Sequence, residues 1–503
     1  MPTYLSPGVY VEEVQSGSRP IEGVGTAVAA FVGLAAKGPF NEPRLLTNWG
    51  QFTATFGEFV DGSYLAHAVY AYFLNGGGTA YVVRVGADGA APVASAEVPA
   101  AEGSKPAFRV LALEAGSGGN DLSVEVSPPT DAAEGAFKLV VKQSGRVVET
   151  FDNVVAGKGK QNVATQVKAQ SKVITIEEVG ALAAPATTSV TLSGGAATMP
   201  ARVTPDDYVG NSADRTGFAG LEAVDEITML AVPDLMAVYE KGIIDAEGVK
   251  AVQLAMIAHC ELMGDRVAIL DAPPGLNAQQ VKEWRVDKAG YDSKYAALYW
   301  PWVKVFDPLS GQAKFIPPSG AMAGIWARSD SERGVHKAPA NEVVRGAIAL
   351  EIQVTKGEHD QLNPHGINVI RAFPGRGIRV WGARTLSSDA SWRYLNVRRL
   401  FNYIEESILQ GTQWVVFEPN DMALWERVKR TATSFLTLTW RQGALFGATP
   451  QEAFYVKCDA ETNPADVIDA GQLVVEIGIA PVKPAEFVIF RIAQFSGGAG
   501  VSE

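Results

Sequence analysis

The stretch from 247 to 271, EGVKAVQLAMIAHCELMGDRVAILD, decides the fold. Val249, Val252, Met256, Cys260 and Met263 recur at three- and four-residue spacing and form one stripe of a helix, which Gly264 stops. Arg266–Asp271 follows as an apolar run of strand length. Similar strand candidates lie at Thr26–Gly33, Ala80–Val85, Glu226–Val232 and Tyr295–Trp302, and another helix begins at Asn277. Strands alternating with helices predict an α/β fold with a parallel sheet and right-handed crossovers.

Two regions depart from this style. Between residues 82 and 207 the only aromatic residues are Phe108, Phe137 and Phe151. Alternating runs such as Phe137–Lys142, a turn at Ser144-Gly145 and the run Arg146–Thr150 predict a small antiparallel β domain. Gly/Ala/Pro-rich segments flank it, so it reads as an insertion. After about residue 370 the pattern becomes α+β. Helices are expected over Ser391–Gln410 and from the Asn420 cap to Arg441, with strands at Gln413–Glu418, Glu452–Cys458 and Gln472–Ala480.

Both ends read as strands that need a partner elsewhere. Gly8–Val14 is set off by Pro7 and by the soft run Gln15–Pro20; Glu486–Gln494 is set off by Pro481 and Pro484. A strand with unpaired backbone groups is a template for another chain. The alternative is pairing within the same chain.

The 503 residues allow about three domains. With 55 acidic against 43 basic residues, the net charge of −12 disfavours a nucleic-acid binder. Cys260 and Cys458 form no zinc spacing or disulfide framework, which fits folding in a reducing cytoplasm. The first residues lack a charged segment followed by an apolar one, so no signal peptide is expected. No apolar run reaches the ~18 residues of a membrane span, so no membrane insertion is expected.

The usual hydrolase, metalloprotease and phosphate-loop motifs are absent, and neither a catalytic residue, a metal nor a cofactor is expected. Gly23-Val24-Gly25 precedes its strand rather than following it, unlike a dinucleotide fingerprint. Asp271 ends a strand and is the best enzyme candidate, against the plainer reading of a turn or capping residue. His336, His359 and His365 fall in loop-like sequence without metal-ligand spacing. Residues 371–400 hold Arg371, Arg376, Arg379, Arg384, Arg393, Arg398 and Arg399, no lysine, and Asp389 as the only acid. Contacts with its own subunits or other proteins suit such an island best, through the planar guanidinium fork; a solvated or intradomain network and nucleic-acid binding are the alternatives.

The chain resembles the contractile tail sheath proteins of phages, phage-tail-like bacteriocins and extracellular contractile injection systems. The resemblance starts at Ser6-Pro7-Gly8-Val9-Tyr10-Val11-Glu12-Glu13 and includes Asn75-Gly76-Gly77, Pro317-Pro318-Ser319-Gly320 and Arg333–Asn341. It is densest at Val380-Trp381-Gly382-Ala383-Arg384-Thr385-Leu386, then continues through Val416–Asn420 to Pro484-Ala485-Glu486-Phe487. Residues 87 to about 205 do not match in detail.

The resemblance implies a structural subunit that polymerises as stacked helical hexameric rings around an inner tube and contracts to drive the tube through an envelope. It implies an N-terminal arm (1–20), a discontinuous α/β sheath domain (21–86 and 206–370), an outward-facing inserted β domain (87–205), a tube-facing α+β domain (371–481) and a C-terminal arm (482–503). Val9, Tyr10, Val11 and Val14 of one arm, and Phe487, Val488, Ile489, Phe490 and Ile492 of the other, are expected to add strands to the C-terminal sheet of neighbours. Arg427, Lys429 and Arg430 are tube-facing candidates, and Arg384, Arg398 and Arg399 are candidates for subunit interfaces. Implied partners are further copies of the chain, the tube protein, the baseplate and a terminator or cap. Assembly in the cytoplasm, with lysis as a route of release, goes with this reading. A non-contractile shell protein and an enzyme centred on Asp271 are the alternatives.

Overall fold

The structure is a computed structural model, and it describes residues 20–492 apart from 87–91, 103–104, 116, 132–134, 178–183 and 196–202. An eight-stranded sheet forms the centre. Its order is Gly377–Val380, Ile367–Phe373, Ala296–Trp300, Val267–Asp271, Met229–Ala231, Val28–Gly33, Thr79–Arg84 and Arg44–Leu46. The six inner strands run parallel, and the two edge strands are antiparallel to their neighbours. Every residue of Val267–Asp271 and of Ala296–Trp300 is buried, as expected for strands covered on both faces.

The deciding stretch folds as read. The helix Ala246–Met263 is capped by the Asp245 side chain, which accepts the Gly248 N–H. It ends at Gly264, whose φ of 73° suits a residue without a Cβ. Val249, Val252, Met256 and Cys260 are buried beneath it. The helix Leu65–Leu74 lies against Ser319–Arg333. A Cβ on Gly320 would stand 2.4 Å from Ala68 Cα, and one on Gly324 would stand 2.4 Å from the Tyr72 carbonyl oxygen. Only glycine permits that approach.

Between Thr79–Arg84 and Met229–Ala231 the chain builds two antiparallel sheets, one of four strands and one of three. Ala94, Phe108, Val110, Leu139, Val141, Phe151 and Val163 belong to a hydrophobic cluster separate from that of the central sheet. The aromatic poverty of the sequence is thus the composition of a small core with few large side chains.

After residue 380 come the helices Leu395–Gly411 and Met422–Arg441, followed by a two-stranded ladder, Phe454–Lys457 against Glu476–Ile479. Leu400, Ile404, Phe435, Leu436, Leu445 and Phe454 share one core. Here the expected boundaries need correction. Residues Gln413–Val415 form a 3-10 turn rather than a strand, because they complete the link between two helices. The expected strand from Glu452 begins with the helix Pro450–Ala453 and starts only at Phe454. His359 lies on the helix Lys356–Leu362, not in a loop.

Candidate functional site

The ladder of Phe454–Lys457 with Glu476–Ile479 has just two strands among the described residues. A two-stranded ribbon is marginal by itself. The segment that follows it does not complete it: residues 482–492 form no strand, and the expected strand over 486–494 has no ladder partner within the described chain. Phe487, Val488, Ile489, Phe490 and Ile492 are between 68% and 95% exposed. The residues named for the other arm, Val9, Tyr10, Val11 and Val14, lie outside the described residues.

The root of the C-terminal segment is held firmly. Glu486 accepts from Arg384 Nε at 2.8 Å and Nη2 at 2.6 Å, from Asn363 Nδ2 at 2.8 Å and from the Tyr394 hydroxyl at 3.3 Å. Burial opposes the Glu486 carboxylate, but these donors outweigh it and hold its carboxyl below the usual range. Asn396 adds a bond to the Val482 carbonyl at 3.2 Å.

The other end of the described chain lies along the same helix. Arg399, Tyr403, Ser407 and Gly411 recur every four residues on Leu395–Gly411 and so share one face. Arg399 donates to the Thr26 carbonyl at 3.0 Å, and Ser407 Oγ accepts the Val24 N–H at 3.1 Å. Gly23 sits against Tyr403, and Ile21 against Gly411, each too close for a Cβ on the glycine. The segment from 21 to 26 therefore runs back along the helix, and the roots of both chain ends are fixed to one element. Neither relationship is visible in the sequence, because the partners stand far apart along the chain.

The three arginines named for interfaces are buried and engaged within the chain. Arg384 holds Glu486; Arg398 bonds Asn402 at 2.6 Å and Glu405 at 2.8 Å; Arg399 pairs with Asp330 at 2.6 Å. On Met422–Arg441, Leu424, Val428 and Phe435 are buried. Arg427 is half-buried, pairs with Glu418 at 3.1 Å and lies over the Trp414 ring. Lys429 stands 3.7 Å from Glu426, and Arg430 is exposed with no ion pair among the described residues.

Asp271 is a helix cap. Its Oδ1 accepts the Ser319 N–H at 2.9 Å, at the start of Ser319–Arg333. Burial pushes its carboxyl up to about 7, against the pull of the Ser319 contact. A second carboxylate, overlooked in the sequence, fills the crevice where the strand order reverses. Asp234 follows Met229–Ala231 and accepts the N–H groups of Leu34 (2.5 Å), Tyr64 and Leu65 (2.9 Å) and the Ser63 hydroxyl. Ligands of open α/β sheets bind at that kind of crevice, and here the chain occupies it with its own anion. Gly33 leaves the room: a Cβ there would stand 2.5 Å from Asp234 Oδ2. Among the described residues no group of histidines, cysteines and carboxylates is arranged to hold a metal, and no helix is long and apolar enough to cross a membrane.

A family model described as the phage tail sheath protein central domain matches residues 201–386, and one described as the phage tail sheath C-terminal domain matches 387–495. The chain belongs to the phage tail sheath family. It is 27% identical to the tail sheath protein of Burkholderia phage BcepMu over 510 aligned positions, covering 96% of this chain and 95% of that one. The tail sheath protein of Vibrio phage KVP40 is 26% identical over 250 residues, which are 47% of this chain and 36% of that longer protein. Among solved structures, the helical sheath of the anti-feeding prophage in its contracted state is similar, with a TM-score of 0.60, 26% identity, and 98% of this chain and 100% of that chain covered. This sheath protein is therefore a structural subunit of a contractile sheath and not an enzyme, and the alternatives centred on Asp271 or on a non-contractile shell are not favoured.

Proposed function

We propose that the chain polymerises as stacked hexameric rings wound around an inner tube, with the arms knitting neighbouring subunits together. The arms, residues 1–20 and 482–503, add strands to the open ladder of Phe454–Lys457 and Glu476–Ile479 in adjacent copies. One observation carries this reading: apolar side chains from Phe487 to Ile492 stand exposed directly beyond the Glu486 anchor, while the ladder has only two strands among the described residues. Strand addition would satisfy both at once. In this arrangement the unit from 87 to 205 faces outward, and residues 371–481 face the tube, with Arg427, Lys429 and Arg430 as contacts. Arg384, Arg398 and Arg399 then serve the interfaces by fixing the arm roots and the helix between them. The polymer ends on a baseplate at one end and a terminator at the other; one chain of the anti-feeding prophage baseplate structure is similar to this one, at 26% identity and a TM-score of 0.57. Contraction moves the subunits as rigid bodies on these tethers.

The test is deletion of residues 1–16, or insertion of two residues after Gly17. A folded, soluble subunit that builds no contractile sheath by electron microscopy is the expected result. Normal contractile particles from either variant would refute the arm assignment.

A further inference from the structure

A cleft of about 340 Å³ opens between the end of the π-helix Trp284–Ala289 with the loop after it, the turn 364–366 and the segment 384–393. Arg285 lines it and is only 9% exposed. Its Nη2 donates to the Leu386 carbonyl at 3.1 Å, its Nε has no hydrogen-bond partner, and no ion pair reaches it among the described residues. The acid on the cleft wall, Asp292, is already committed to the Ser388 N–H and hydroxyl. Arg384, also on the wall, is spent on Glu486. Arg393 stands exposed at the cleft without an ion pair among the described residues. Asp292 keeps its charge and faces Arg285 without an ion pair, so the cleft holds one guanidinium with an unpartnered Nε and a second, the exposed Arg393, that no ion pair reaches among the described residues. A planar guanidinium fork suits a carboxylate.

We infer that this cleft receives an acidic side chain from a neighbouring copy of the same chain. The inference rests on the sheath reading, which places copies side by side. Charge supports it: the whole chain is acidic at −12, whereas residues 371–400 are an arginine island. Arg384, Arg398 and Arg399 of that island are paired within the chain, and Arg376 and Arg393 stay exposed without an ion pair among the described residues, facing a chain with surplus carboxylates. The Arg285 contribution comes from outside that island, so the fold concentrates charge there beyond what the sequence shows.

Phenylglyoxal labelling of free and assembled chains, read by mass spectrometry, tests the inference together with Arg393→Glu and Arg393→Lys. Arg393 is exposed, so neither substitution threatens folding. Expected are at least about tenfold protection of Arg393 on assembly, and dissociation of the Arg393→Glu polymer at several-fold lower salt, with Arg393→Lys in between. Equal labelling of Arg393 in free and assembled chains overturns the inference, as does unchanged salt resistance of Arg393→Glu. Inorganic phosphate separates the remaining source of negative charge. If phosphate raises the Tm of the wild-type subunit but not of Arg393→Glu, while Arg393 stays reactive in the polymer, the cleft takes a free anion and the neighbour is overturned. Electron microscopy of the wild-type chain produced together with its tube and baseplate proteins checks the sheath reading separately: no polymer overturns both, whereas a polymer with reactive Arg393 overturns the cleft alone.

Discussion

Arg384 forks onto Glu486, with Nε 2.8 Å from Oε1 and Nη2 2.6 Å from Oε2. The two residues lie 102 positions apart, and the bond marks the place where the chain stops being packed and starts being exposed. It fixes where the exposed segment 487–492 leaves the body and in which direction it starts.

Glu486→Gln should therefore loosen the arm root without unfolding the protein. Charge-assisted bonds of this kind are worth about 1.5–3 kcal/mol each. Backbone amides near the anchor, such as Val482, whose N–H bonds the Ala444 carbonyl at 3.2 Å, should exchange about tenfold or more faster. Amides of the central sheet should be unchanged. Identical exchange near the anchor in variant and wild type would show that Glu486 does not hold the arm.

Asp234 should matter more to stability than any surface acid. Asp234→Ala strips one acceptor site from Leu34, Tyr64, Leu65 and Ser63 at once, in a fully buried crevice. Loss of about 3–5 kcal/mol is expected, because buried donors are left unpaired. Urea unfolding measures it. Gly33→Ala should destabilise through the same contact by forcing its Cβ against the carboxylate. A midpoint for Asp234→Ala equal to that of the wild type would remove the crevice from the account of the fold.

Much of this was legible in advance, for physical reasons. The parallel sheet showed because strands buried on both faces are continuous apolar runs, and the helix Ala246–Met263 showed because its apolar side chains recur with its turn. The two-stranded ladder was harder. Its strands, four residues each, are half-exposed, so neither alternation nor a continuous apolar run is long enough to fix their bounds. The Gln413–Glu418 segment looked like a strand from Trp414, Val415, Val416 and Phe417. In the fold, Trp414 and Val415 pack against the small core of Leu424, Trp425 and Val428, while Phe417 adopts a φ of 68° and projects into solvent. Arginine density announced Arg384, Arg398 and Arg399, but their partners Glu486, Glu405 and Asp330 depend on tertiary structure.

Acid should weaken the fold through its histidines. Burial lowers His259 to about 4, helped by the Arg266 charge, and burial lowers His359 to about 4, helped by Arg371. A histidine depressed in the folded state binds fewer protons there than in the unfolded chain between pH 4 and 6.5. The histidine contribution is therefore full above about 6.5 and is lost as pH drops toward 4, about 3 kcal/mol for each residue. Asp271, pushed up to about 7, and Asp234, pushed up to about 6, act in the opposite sense over the same range, so the histidine contribution is read as a difference. From pH 7.5 to 4.5 the wild type should lose stability relative to His259→Gln in denaturant unfolding. A difference between the two proteins that is independent of pH across this range would contradict the assignment.

The tube contact gives the last prediction. The helix Met422–Arg441 buries Leu424, Val428, Phe435 and Leu436. Its other side presents Glu426, Arg430, Thr433 and Ser434. Of the three cations expected there, Arg427 is tied down by Glu418 and Trp414, Lys429 leans toward Glu426, and Arg430 remains exposed. The available charge is thus small, which suits the proposed tube contact if it is to break on contraction, since exposed ion pairs contribute up to about 1 kcal/mol each. Repetition along a polymer would make such weak contacts sufficient for templating. Lys429→Glu combined with Arg430→Glu should leave the unfolding midpoint of the isolated subunit within about 0.5 kcal/mol of wild type. In particles, sheaths should be short, absent, or contracted without a tube. Full-length extended particles with ordinary salt resistance would refute the placement of this helix against the tube.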